Sequence, residues 1–389
     1  MEKASTRNSN ERMKKISLIL FGIFLCLSAE AKVKSKDIFF PKHFYTDKIK
    51  YCSYVGGETF KSKYKKARIE SLISLDWMKE WALGNSRSVN HLNLTGPMTS
   101  FAVATHNAIG NNDKEDIDAA KEILIKIAKA NVLLDTIGKE ELKKKPKCWK
   151  DGNPEAPCWY HAYEFARDAF TNYLLIAIYL KDYLSDKELN TVNKYIKNMH
   201  KKFIKPEEFL EKEKGFYAMG NGGIPNLAYA NWTNNKTLAA KEFNFRFKNI
   251  EEVFYDDGYI NNNSFRGFRA LWYHSYGLNS ALGYIYLAKK WGAKVPDLVM
   301  NRISKASEVL NLGITDYESF SSRKYDGKQK NNQYKKHNAR KHTHQEALAI
   351  DTLMEMVTGI KHEKDITYLA KRPKYGIDNL IGFNANCIK

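Results

Sequence analysis

An all-α fold is the class this sequence predicts, in the form of an α/α toroid, an incomplete barrel of helical hairpins. Three observations predict it. Apolar residues recur at helical spacing in one segment after another, strand signals are few, and most connections are short enough to set neighbours antiparallel. The chain has 389 residues, 43% of them hydrophobic, which excludes a disordered polymer and suffices for one large core. One domain is expected over 32–389.

The first 31 residues read as a leader and secretory signal peptide. Met13-Lys14-Lys15 is a basic start, 16–27 is an apolar run, and Ala29-Glu30-Ala31 is a small-x-small cleavage site. The run is too short for a stable membrane anchor. The signal is bacterial in style, so a periplasmic or secreted protein cut near Ala31 is expected, with no stable membrane insertion after cleavage.

Beyond it, 32–64 reads as an irregular arm, with Pro41, Gly56, Gly57 and several aromatics. Periodicity then predicts a helix over 64–83, anchored by Ile69, Leu72, Ile73 and Trp77. A long polar stretch, 84–112, leaves room for a short helix at 100–108. Helices follow at 116–136, 161–184 and 186–203. The run Met219-Gly220-Asn221-Gly222-Gly223-Ile224-Pro225 reads as a break, with helix resuming at 226–231 and 237–253. A turn at Asp257-Gly258 leads to a helix over 268–291. Two more are predicted at 296–312 and 343–358. Between these last two, 313–342 is dense in Lys, Arg and His and reads as a loop.

Charge narrows the partner. Residues 1–31 carry five Lys/Arg and three Asp/Glu, so the +19 chain keeps a net of +17 once cut there. A secreted protein this basic is drawn to polyanions, be they nucleic acid, anionic lipid or acidic polysaccharide. No nucleic-acid module is recognisable, and outside 313–342 the basic residues alternate with acids, so nucleic acid is not expected. Four cysteines survive cleavage. The turn-rich loop between Cys148 and Cys158 favours a disulfide there, leaving Cys52–Cys387 to join the two ends. No cysteine spacing resembles a zinc site.

The densest chemistry lies at Arg266 and Tyr273. Seven residues of helix make nearly two full turns, so a helix beginning at Arg266 would put both on one face. A guanidinium fork matches a carboxylate. A tyrosine can take a proton as phenolate and return it as phenol. Together they suit β-elimination on a uronic acid, where neutralising the carboxylate stabilises the charge that develops when the C5 proton leaves. No cofactor or metal is needed.

The run Asp257-Gly258-Tyr259-Ile260, followed by Arg266-Gly267-Phe268-Arg269-Ala270-Leu271-Trp272-Tyr273-His274-Ser275-Tyr276-Gly277-Leu278, resembles the alginate lyase family that cleaves poly-β-D-mannuronate, polysaccharide lyase family 5. The specific likeness covers about 25 residues. It implies a carboxylate-neutralising role for Arg266 and an acid/base role for Tyr273. The family's second motif, N-N-H-x-Y-W, about 47 residues before the arginine, falls here on Met219–Gly223. Asn221 takes its asparagine role, and the histidine is absent. Around this catalytic set, Arg269, Trp272, His274 and Tyr276 are expected to bind substrate, with His91 and His106 from the long early stretch and Arg340 from the basic segment.

The function expected is thus a monomeric polysaccharide lyase acting on an acidic, uronate-containing polysaccharide, alginate first. Two alternatives stand beside it. A glycoside hydrolase would need two carboxyls flanking the bond, and Asp256 and Asp257 make a poor pair. A non-catalytic polyanion-binding protein would use the basic surface alone.

Overall fold

The structure, a computed structural model, describes residues 32–49, 60–61, 63–73, 94–134, 159–204, 219–266, 270–324 and 351–361. They are mostly helical, and no strand occurs among them. In chain order the helices are α1 (Lys63–Glu70), α2 (Gly96–Gly110), α3 (Lys114–Lys129), α4 (Trp159–Leu180), α5 (Asp186–Met199), α6 (Met219–Trp232), α7 (Lys236–Val253), α8 (Ala270–Lys290), α9 (Asp297–Thr315), α10 (Tyr317–Ser322) and α11 (Asp351–Thr358).

Local chemistry starts several of them. Pro97 opens α2, where its missing N–H costs nothing. The Asp113 side chain accepts from Asp116 N–H and caps α3, whose first turn is acidic and whose last turn is basic, matching the helix dipole. Ser185 and Glu188 form a capping box on α5. Asn235 accepts from Leu238 N–H at the head of α7.

Packing sorts the helices into two rows. α2, α4, α6, α8 and α11 are successive neighbours in one row, and α3, α5, α7 and α9 lie behind them. In the front row α4 is buried from Leu174 to Leu180 and α8 from Leu278 to Ala288. Behind, α3 buries one stripe, Ile117, Ala120, Ile123, Leu124 and Ile127, as a one-sided helix should. Hydrogen bonds show that neighbours run antiparallel. Trp232 Nε1 donates to Asn193 Oδ1, His200 meets Asn226, and Asn226 donates to Glu242, so numbering falls along α6 as it rises along α5 and α7. The arm packs on the end of α8, where Trp291 Nε1 donates to Phe44 O and the Phe40 and Phe44 rings meet the indole edge-on. No described helix is long and apolar enough to cross a membrane.

Four expectations need correction. The Gly-rich run 219–225 is not a break but the first half of α6. Burial of Ile224, Leu227, Ala228 and Ala230 between α4 and α7 outweighs the poor helix propensity of Gly and Pro. The helix expected to reach 136 ends at Lys129, because Asn131 and Leu133 take positive φ values and turn the chain out. The helix expected over 100–108 runs from Gly96 to Gly110, and part of the loop after 313 is helical as α10.

Between α7 and α8 the chain makes a small hairpin. Phe254 and Ile260 pair in an antiparallel bridge, Tyr255 N–H donates to Tyr259 O, and Asn261 N–H donates to Val253 O. Its tip is Gly258 at φ +85, where a Cβ would stand 2.5 Å from the Lys305 backbone in α9. Gly258→Ala is therefore expected to cost about 2 kcal/mol or more in urea unfolding. A cost under half a kcal/mol would mean that the turn does not seat on α9.

Candidate functional site

The hairpin delivers a short 3-10 turn, Asn263–Phe265, directly before Arg266. Its residues fasten separately to the helices around them. The Asn263 amide donates to Tyr273 O at 2.9 Å. Ser264 Oγ accepts from Ile260 N–H and lies 2.8 Å from His274 Nδ1. Phe265 stacks on Tyr259, whose hydroxyl donates to Phe320 O in α10. The Arg323 guanidinium covers Tyr255, Tyr259 and Phe265 and pairs with Asp257 at 2.9 Å.

Arg266 and Tyr273 meet at the end of this frame, the guanidinium carbon 4.3 Å from the phenol ring centroid. The route differs from the one expected. Arg266 is not on the helix with Tyr273 but follows the 3-10 turn, with α8 described from Ala270. In the first two turns of α8 only Trp272, Tyr273 and Tyr276 are half-buried, and their neighbours are buried. Trp272 lies 4.4 Å from the Tyr273 ring and 6.1 Å from that of Tyr276. Three aromatic rings and a cation thus share one partly open surface, a composition that can stack on a sugar ring and hold its carboxylate.

His274 lies elsewhere. It is fully buried. Nε2 lies 2.8 Å from Ala306 O, a pure acceptor, so Nε2 carries the hydrogen. Nδ1 then accepts from Ser264, whose oxygen already takes the Ile260 N–H. The ring pins the turn that carries Arg266 to both α8 and α9, which places it inside rather than on a substrate-facing surface. His106 is also buried, beside the Tyr179 ring in the interface of α2 with α4.

Burial lowers both histidines to about 4, with Asn107 opposing this at His106 and the Ala306 carbonyl at His274. Between pH 6.5 and 4 each is neutral when folded and protonated when unfolded. The stability they contribute is full above about pH 6.5 and is lost as pH falls toward 4, roughly 3 kcal/mol for each. The thermal midpoint should fall steeply over that interval, and His106→Gln should flatten the slope. A midpoint constant from pH 6.5 to 4 would contradict buried neutral imidazoles.

Asn221 lies in the first turn of α6, and its side chain is outside the described set. The antiparallel order puts that turn at the end of the bundle where α7 finishes and α8 begins. Asn226 pairs with Glu242, and Arg246 lies over Tyr284, eleven residues beyond Tyr273 on α8. Arg269, His91, Arg340 and the cysteines Cys52, Cys148, Cys158 and Cys387 lie outside the described residues.

The pair weighed for a hydrolase, Asp256 and Asp257, is engaged in the frame. Asp256 takes Arg302 at 2.7 Å, and Asp257 takes Arg323. Among the described residues no group of three His, Cys, Asp or Glu side chains is arranged to hold a metal ion. A polar groove of about 530 Å³ at the head of α7, lined by Ser35, Lys36 and Thr233 to Thr237, includes none of the expected site residues.

Sequence reasoning missed Asn263, Ser264, Gly277 and Arg323. The run Asn261-Asn262-Asn263 was a usable sign, since consecutive asparagines favour tight turns. No protein-family model matches the chain, and no curated protein matches it.

Proposed function

We propose that the protein is a polysaccharide lyase that cleaves a uronate-containing polysaccharide, alginate first, by β-elimination. The observation that carries the reading is the Arg266 guanidinium 4.3 Å from the Tyr273 ring on an otherwise aromatic surface. The resemblance of 257–278 to the alginate lyase family supports it. So does the alternation of front-row and back-row helices, the neighbour pattern of an α/α toroid. The rest of the reading is a single-domain monomer over 32–389, exported to the periplasm or medium.

In the proposed reaction Arg266, with Asn221, holds the substrate carboxylate and offsets the charge that builds on it as C5 is deprotonated. Tyr273 as phenolate takes the C5 proton. The C5–H pair forms the C4=C5 bond as the C4–O bond breaks, and the phenol returns its proton to the departing O4. Trp272 and Tyr276 offer ring faces to the sugars on either side. The products are a new reducing end on one fragment and a 4,5-unsaturated uronide as the non-reducing end of the other.

Incubation with polymannuronate, polyguluronate and glucuronan, followed in the ultraviolet band of the unsaturated product, tests this. Absorbance should rise fastest on polymannuronate, and Arg266→Ala should slow it by about 10²-fold or more. Tight binding of all three polymers without turnover would instead make the protein a polyanion-binding module.

A further inference from the structure

Three structural costs converge on one backbone atom, the carbonyl oxygen of Tyr273. The first is a buried amide: Asn263 is fully buried, and its Nδ2 is spent on that carbonyl at 2.9 Å. The second is a strained turn. Asn262 sits at φ 62, ψ −43, and Asn263 N–H donates back to Asn261 O at 2.7 Å, the rare γ-turn of positive φ. The third is a glycine inside a helix, which weakens it. A Cβ on Gly277 would lie 2.6 Å from Asn263 Nδ2 and 3.3 Å from Ile260 Cδ1, so only glycine lets the amide reach.

The arrangement is more than a helix cap. The regular donor to the Tyr273 carbonyl is the N–H four residues on, that of Gly277. Asn263 supplies a second donor to the same oxygen, which has two lone pairs. It does so from three residues before Arg266. The chain between Arg266 and Tyr273 is thus bridged from outside, and the rotation of the first turn of α8 is set relative to the turn bearing the arginine.

We propose that Asn263 is a positioning residue for Tyr273, admitted by Gly277, and that the pair fixes the phenol against Arg266 and the substrate. This rests on the reading of Tyr273 as the acid/base of the elimination. Displacing a reacting group by about 1 Å can cost about 10²-fold in rate. Asn263→Ala and Gly277→Ala should each lower kcat by about 10- to 100-fold, with KM within about twofold of the parent. The double variant should be within about twofold of Asn263→Ala, since with the amide gone the added Cβ meets only the movable end of Ile260 at 3.3 Å. Asn263→Asp keeps the shape but offers no donor, so it should be as slow as the alanine variant, and it serves where the alanine variant does not fold.

Losses that multiply in the double variant, a KM rise at constant kcat, or full turnover by Asn263→Asp would each overturn the proposal. A readout independent of catalysis completes the test. With 3-fluorotyrosine at position 273, the ¹⁹F resonance should shift in Gly277→Ala and Asn263→Asp, both checked by circular dichroism. An unmoved resonance in both rejects the positioning role. A moved resonance, in a protein that eliminates on no uronate polymer, keeps the positioning and rejects the lyase reading.

Discussion

Tyr273→Phe is expected to lose elimination on uronate polymers by about 10²- to 10⁴-fold while keeping its thermal midpoint within about 2 °C. The substitution removes one oxygen from a half-buried ring. The ring itself stays under the Arg266 guanidinium and beside Trp272, so the surface that would hold the sugar is preserved. Loss of turnover with KM little changed marks a group that acts in the transition state rather than in binding. Activity within tenfold of the parent would mean that another group moves the proton, and Tyr273 would then be only a stacking platform.

Arg246→Ala is expected to be the most destabilising of the simple substitutions, by about 3–5 kcal/mol. Arg246 Nε lies 2.5 Å from Glu242 Oε1, with both side chains buried. Glu242 also takes the Asn226 amide, and Asn226 Oδ1 lies 3.1 Å from His200 Nε2. The guanidinium is sandwiched near Phe245 and Tyr284. Truncating the arginine strands a carboxylate where α6, α7 and α8 meet. Replacing both partners, as Glu242→Gln with Arg246→Met, should recover most of the loss, because no charge is then left buried. Urea unfolding checks both. A loss below 1 kcal/mol for Arg246→Ala would mean that water reaches Glu242.

Much of the helix order was legible in the sequence, because apolar spacing and capping residues are local signals. Ser185 with Glu188, and the acidic first turn after Asp113, mark their helices without reference to anything distant. α6 was not legible. Its glycines and Pro225 argue for a break, and only the burial of Ile224 and Leu227 against neighbouring helices reverses that. In the site, the pairing of Arg266 with Tyr273 was expected from a seven-residue helical spacing. The structure brings them together through a hairpin and a 3-10 turn instead, held by contacts 10 and more residues away in sequence. Such contacts leave little trace in composition or period. His274 shows the same limit, since nothing local distinguishes a buried pin from a histidine that faces substrate.

The elimination proposed for Arg266 and Tyr273 leaves a product that hydrolysis does not. Proton NMR of the products from purified polymannuronate tests it most directly. The expected result is the olefinic H4 signal of a 4,5-unsaturated non-reducing end, growing in step with new reducing ends and absent with Tyr273→Phe. New reducing ends without that signal, or with equal signal from Tyr273→Phe, would contradict it.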